Sequence, residues 1–304
     1  MIINNKSILL TGANGFLGKI IYGVLRSSYP HILTLGKSDE NAIKADITNH
    51  ISPIEDHVDW VIHAAGKAHM VPKNEKEKQD FYNVNFSGTK NLCNALSKNL
   101  PEAFIFISTV AVYGSDKGEM IAEDAPLNGN SAYAISKTKA EEWLQTWATE
   151  NNIKLAILRL PLVVGPNPPG NLGDMIKGMR SGKYLSIKKS NARKSMIWAE
   201  DIAGIIPKLA EIGGIYNITD GINPSFNELE NSISASLGKK PPVSISAGMA
   251  KIIGLAGDIL GKYSPVNTSK INKITSTLTF DDTKARALLN WKPSSVLEKI
   301  PSIL

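Results

Sequence analysis

The chain has 304 residues, a formal net charge of +6 and a single cysteine, Cys93. That length supports a large core, as one big domain or two closely joined ones, and its lysines are scattered rather than run together, which argues against a nucleic-acid stripe and suits small anions such as nucleotides. One thiol excludes an intramolecular disulfide framework and agrees with a reducing cytosol, so a cytoplasmic protein is expected.

Residues 7–10 predict a strand almost at once, leaving no room for a signal peptide. Thr11-Gly12-Ala13-Asn14-Gly15-Phe16-Leu17-Gly18 follows, and apolar residues at Leu17, Ile20, Ile21, Val24 and Leu25 predict a helix. A strand, a glycine turn and a helix in that order are the setting of a dinucleotide-binding loop. Gly12, Gly15 and Gly18 allow a tight turn and close approach of backbone to a pyrophosphate at the helix N-terminus, with Asn14, Phe16 and Leu17 in the same loop. Strands are predicted at 31–35, 45–47, 58–62, 103–107 and 154–159, with a returning strand at 214–221. Helices are predicted at 81–96 and around Tyr133. This alternation predicts an α/β fold, a Rossmann-type doubly wound parallel sheet. A loop rich in Pro, Gly and Asn after Gly165 marks a boundary. The expected domains are 1–165, binding dinucleotide with returning segments near 200–221, and 166–304, a smaller and mainly substrate-binding domain.

Strand two ends in Leu35-Gly36-Lys37-Ser38, where an NAD enzyme usually carries an acid for the ribose hydroxyls. Lys37 and Ser38 suit a 2′-phosphate instead, which favours NADP(H) over NAD(H). His63 either caps strand four or belongs to the small-residue stretch Ala64-Ala65-Gly66, which lets backbone approach a cofactor. Tyr133 and Lys137 are four apart on a helix and share a face. A cation beside the phenol is expected to lower its pKa, so that it exchanges a proton with a sugar hydroxyl near neutral pH. Residues 247–260, interrupted by Lys251, Asp258 and three glycines, read as a helix covering the substrate site rather than one on a membrane surface. No run is long enough for membrane insertion. All five histidines precede residue 70 without metal-ligand spacing, so no metal is expected.

The GxxGxxG spacing, the wording TGANGFLG and the Tyr133/Lys137 pair resemble the extended branch of the short-chain dehydrogenase/reductase superfamily. The resemblance implies a catalytic triad of Thr109, Tyr133 and Lys137, with Tyr133 and Lys137 also touching the cofactor. It places Asp46 and Ile47 at adenine, and Ala64, Ala65 and Gly66 along the dinucleotide. It gives Asn85, in an NVxGT-like stretch, a supporting role, and sets Pro161 and Val164 under the nicotinamide. Substrate contacts implied are Lys67, Ser108, Thr109, Asn171 and either Arg193 or Lys194, an arginine suiting a diphosphate because its planar fork donates in pairs. A homodimer through a helix pair is the family's pattern.

Similar 4,6-dehydratases carry Asp-Glu after the threonine, whereas this chain has Val110 and Ala111, which transfer no protons. Two reactions on a nucleotide sugar remain: 4-epimerisation with tightly bound NAD, and reduction of a 4-keto sugar. Residues 63–70, 83–89 and 193–198 also resemble bacterial UDP-N-acetyl-hexosamine 4-keto reductases of O-antigen and capsule synthesis. Reduction of a UDP-linked 4-keto-6-deoxy-N-acetylhexosamine is therefore the expectation, with the epimerase as the alternative. A non-catalytic NADP-binding regulator is the remote one, since a sensor has no need of Tyr133 and Lys137 together.

Overall fold

The computed structural model describes residues 5–68, 70–188, 191–261 and 267–304. His69, within the stretch 63–70, lies outside them. The first part of the chain forms β1 (Ile8–Thr11), α1 (Phe16–Leu25), β2 (Ile32–Gly36), β3 (Ile43–Lys44) and β4 (Trp60–His63). Next come α2 (Glu75–Tyr82), a π-helical turn over Asn83–Ser87, α3 (Gly88–Ala95), β5 (Ala103–Thr109), β6 (Gly118–Ile121), α4 (Ala132–Glu150), β7 (Lys154–Leu160) and β8 (Leu162–Val164). The remainder comprises α5 (Gly170–Arg180), β9 (Ser186–Ile187), β10 (Met196–Trp198), α6 (Ala199–Ile212), β11 (Gly214–Asn217) and α7 (Phe226–Ser236). It closes with β12 (Ser244–Ile245), α8 (Ala247–Leu260), α9 (Thr268–Thr275), β13 (Leu278–Phe280), α10 (Thr283–Leu289) and α11 (Val296–Lys299).

Seven strands form one parallel sheet in the order β3-β2-β1-β4-β5-β7-β11. Parallel strands buried on both faces read as nearly unbroken apolar runs, as in Ile8-Leu9-Leu10 and Ala103-Phe104-Ile105-Phe106-Ile107. Their alternation sorts them onto two faces. Ile8, Leu10, Ile62, Ile105 and Leu158 pack with Ile202, Ile206 and Leu209 of α6, and Trp291 closes that side. Leu9, Val61, Phe104 and Phe106 pack with Leu92 of α3 and with Ala140 and Leu144 of α4. The chain runs outward from β1 in one direction through β2 and β3, and in the other through β4 and β5. The reversal leaves a crevice at the carboxyl ends of β1 and β4, the place where such sheets bind ligands.

Two predicted elements shift. The short strand is Ile43–Lys44, two residues before its predicted start, so Asp46 and Ile47 fall in the loop after it. The helical stretch predicted from Phe81 begins at Glu75, where the Asn74 side chain accepts from the Glu77 amide and caps it. Beyond the sheet, β8–β10, β9–β12 and β6–β13 form short parallel pairs. Val164, Leu172, Met175, Trp198, Leu229 and Ile233 make a separate apolar cluster there. Among the described residues no helix is long and apolar enough to cross a membrane.

Candidate active site

Gly12 ends β1 with φ of +75°. A Cβ on it would lie 2.6 Å from the Ala65 amide nitrogen, so the loops after β1 and β4 meet backbone to backbone. Gly15 closes the turn by donating its amide to the Gly12 carbonyl at 2.9 Å, and Gly18 packs directly onto that carbonyl. Gly15 is also the N-cap of α1, with no side chain satisfying the first-turn amides. Amides left in this way, at the positive end of a helix, suit an anion. The cradle opens into a cleft of about 760 Å³ lined by Gly12, Asn14 and Gly15 with residues 35–38, 45–48 and 64–67. Shape, glycine cradle and helix terminus together fit a dinucleotide. Of the other loop residues, Leu17 packs on the core and Phe16 on Gly165.

Lys37 and Ser38 line the cleft as expected, yet the Lys37 ammonium is paired with Asp46 at 2.8 Å. Burial alone would raise the Asp46 pKa, but Lys37 and the Thr48 amide and hydroxyl hold it below the usual value. A carboxylate therefore stands at this end of the cleft after all, delivered by the loop after β3 instead of the end of β2. Asn14 is held by Glu40 at 3.1 Å and Asn41 at 3.0 Å.

His63 is fully buried and does not cap its strand. Its Nδ1 meets the Thr11 hydroxyl at 2.7 Å and its Nε2 the Thr89 hydroxyl at 2.9 Å. Thr89 donates its own proton to the Asn85 carbonyl, so it accepts from Nε2–H, and Thr11 donates to Nδ1. Burial, reinforced by the charge of Lys137, pulls the imidazole pKa down to about 3 and keeps it neutral. Asn85 sits in the π-helical turn, buried. Its Oδ1 accepts the Lys67 amide at 2.7 Å, while its Nδ2 donates to the Lys67 carbonyl and the Ser136 hydroxyl, each at 3.0 Å. These bonds correct the expectation of a cofactor contact from Asn85: the side chain ties the loop after β4 to α4. The Lys67 ammonium pairs with Asp80 at 2.8 Å.

Tyr133, Lys137 and Glu141 repeat at every fourth residue along one face of α4, whose N-terminus Ser131 caps. Thr109, the last residue of β5, shares a hydrogen bond with the Tyr133 phenol. The Lys137 ammonium donates to the Ile107 carbonyl at 2.8 Å and lies 4.3 Å from the centre of the Phe106 ring. It also adjoins Gly66, which joins the hydroxyl pair to the cleft. Burial lowers the Lys137 pKa to about 8, against the opposing pull of Glu141. The expected lowering of the Tyr133 pKa is corrected: burial raises it, and the Thr109 hydrogen bond offsets part of the rise. Val110 and Ala111 continue from Thr109 in a short 3₁₀ turn.

Ser108 points to the opposite side of β5 from Thr109. Its hydroxyl makes a very short bond to Glu141, which excludes the expected substrate contact. Glu141 pairs with Arg159 at 2.8 Å, and Arg159 reaches the Tyr113 hydroxyl at 3.0 Å and the Glu123 carbonyl at 2.9 Å. Tyr113 in turn donates to Asn217 at 2.8 Å. Sequence reasoning missed this network, although Glu141 stands one helical turn beyond Lys137. Pro161 lies half-buried between β7 and β8, whereas Val164 is fully buried in the separate apolar cluster and offers a cofactor no side chain. Asn171 is exposed in the first turn of α5. Arg193, also exposed, donates to the Asn223 carbonyl at 3.0 Å and lies 3.5 Å from Glu228. Lys194 is half-buried, and burial lowers its pKa to about 8, with Asp116 opposing and Lys273 adding to the shift. These three residues stand outside the cleft lining.

Residues 8–219 match the NAD dependent epimerase/dehydratase family, which binds NAD(P). The N-acetyl-α-D-glucosaminyl-diphospho-ditrans,octacis-undecaprenol 4-epimerase of Escherichia coli O157:H7 is 29% identical, over 93% of this chain and 89% of that protein. The UDP-glucose 4-epimerase of Vibrio cholerae is 26% identical over 97% of this chain and 93% of its own. The UDP-glucuronic acid 4-epimerase of Bacillus cereus, solved with UDP-glucuronic acid and NAD, superposes with a TM-score of 0.75 at 21% identity, covering 98% of this chain and 97% of that one. A human epimerase family protein solved with NADPH gives 0.76 at 17% identity, covering 98% of this chain and all of that one. At such identities the structural likeness speaks for the fold alone.

Proposed function

The chain belongs to the NAD dependent epimerase/dehydratase family, and from that premise we propose that it is a 4-epimerase of a sugar carried on a diphosphate. The observation that carries this reading is the closed Thr109–Tyr133 hydroxyl pair backed by buried Lys137, followed by Val110 and Ala111 where an eliminating enzyme needs an acid and a base. Such a site moves a proton on and off one sugar oxygen and does nothing else. The 4-epimerases of E. coli and V. cholerae, matched over nearly the whole chain, support epimerisation at C4. Their substrates share a diphosphate-linked sugar, on a nucleotide in one and on a polyprenol in the other.

When bound, NAD(P) supplies the hydride acceptor and donor for C4. The glycine cradle and the first turn of α1 would hold its pyrophosphate, with Asp46 and Lys37 at the adenosine end. Tyr133 takes the proton from the C4 hydroxyl as the ketone forms and gives it back as the alcohol is restored. Thr109 orients that oxygen. Lys137, an ammonium below pH about 8, supports the phenolate form. Asn171, with Arg193 or Lys194, is assigned to the substrate's diphosphate.

A second reading, reduction of a UDP-linked 4-keto-6-deoxy-N-acetylhexosamine, is supported by the acid-free end of β2 and the exposed Lys37. It implies an exchanging NADPH. The Lys37–Asp46 pair weighs the other way, because a 2′-phosphate would meet a carboxylate. The experiment is to denature the purified protein and identify released dinucleotide by mass spectrometry. Retained NAD⁺, with interconversion of a C4-epimer pair, is the expected result. An empty protein that oxidises NADPH only with the 4-keto sugar would replace the epimerase by the reductase.

A further inference from the structure

Helix α8 is inverted with respect to an ordinary surface helix. The face it packs inward carries only small residues, Ala250, Gly254 and Gly257. A Cβ on Gly254 would lie 2.9 Å from Ile271 and 3.1 Å from Thr268, so the missing side chain is what lets α8 lie flat on α9. The outward face carries the bulk. Ile252 is 68% exposed, Leu255 59% and Ile259 87%, with Met249 beside them. At 100° per residue these side chains share one broad arc opposite the glycines, whereas Lys251 and Asp258 fall at its margin. The surface continues beyond the helix. Ser186 donates to the Val243 carbonyl at 3.0 Å, which sets exposed Leu185 beside exposed Val243, just ahead of α8. Scattered exposed apolar residues are ordinary, but a contiguous patch of this kind marks a contact surface.

The charges around the patch select the partner. Lys183, Lys188, Lys239, Lys240 and Lys251 border it, and Asp258 is the one acid between residues 239 and 259. A second copy would bring the same lysine rim against itself. A helix with bulky apolar residues on one face and lysines at its edges is built to lie at an anionic lipid surface. Its 14 residues span about 21 Å, too short to cross the hydrocarbon.

We propose that α8, together with Leu185 and Val243, docks this protein peripherally on an anionic membrane surface, its apolar face at the headgroup boundary. The docking goes beyond the epimerase reading and does not depend on it. The test is cosedimentation of the full chain with vesicles of phosphatidylcholine containing phosphatidylglycerol, compared with phosphatidylcholine alone. The wild type is expected to partition onto the anionic vesicles, less onto the neutral ones, and less as salt is raised. Partitioning should fall about tenfold or more in Ile252→Glu/Ile259→Glu, while that variant's thermal midpoint stays at the wild-type value. Failure of the wild type to sediment with anionic vesicles would overturn the proposal, as would a double variant that sediments equally well. So would sedimentation velocity showing a wild-type dimer that the double variant dissolves, since the face would then belong to a second copy.

Discussion

The sheet and the region around α8 use apolar residues in opposite senses. In the sheet, large side chains such as Phe104, Phe106 and Leu158 have no exposed surface, and the polar groups among them are joined into closed networks. Around α8 the small residues are inside and the large ones outside, and the strands behind them, β9 and β12, are two residues long. The contrast teaches where geometry is fixed. Thr109, Tyr133 and Lys137 stand on elements locked from both sides, as proton transfer over a hydrogen-bond distance demands. The α8 region carries little of the molecule's stability and offers its surface outward.

Four measurements break or sharpen that contrast. Tyr133→Phe should lower kcat/KM by about a hundredfold to ten-thousandfold with no change in thermal midpoint, and near-full turnover would remove tyrosine from the mechanism. Glu141→Leu should cost about 3–5 kcal/mol in urea denaturation, because Arg159 is left charged and buried. A loss as small as that of an exposed pair would mean the network does not lock α4 to the sheet.

A smaller effect follows from His63. Its folded pKa of about 3 lies below the ordinary value of 6.5. Between those values the unfolded chain binds a proton that the folded chain refuses, so stability falls as pH drops through this window. The slope approaches about 1.4 kcal/mol per pH unit. Denaturation midpoints at successive pH values should therefore show a steeper acid loss in the wild type than in His63→Asn, and equal slopes would refute the buried neutral imidazole. Smallest of all, Ile259→Ser should change unfolding stability by less than about 0.5 kcal/mol. A large loss there would mean that α8 belongs to the core.

Strand content, the parallel order and the glycine cradle were legible because each rests on local pattern: runs of apolar residues, and glycines at one strand–helix junction. The Thr109, Tyr133 and Lys137 cluster was legible for the same reason, from helix spacing and motif. What escaped depends on pairings across the fold. Nothing local says that Asp46 will turn toward Lys37, or that Glu141 will find Arg159. Ser108 and Thr109 are neighbours of similar chemistry, and strand alternation already assigns them opposite faces; the period of two was the available signal, and it went unused. The tyrosine's environment was misjudged because i,i+4 spacing reports a shared face and says nothing of desolvation.

The π-helical turn at Asn83–Ser87 has a consequence for how this chain tolerates change in length. It fits one more residue into a turn than an α-helix does. Deleting a residue there would restore regular winding and rotate everything downstream by about 100°. Leu92 and Cys93 would swing out of the core, and Asn85 would lose its hold on Lys67 and Ser136. Substitutions along this helix can be absorbed one by one. Its residue count between Glu75 and Ala95 cannot change without unseating α3 from the sheet.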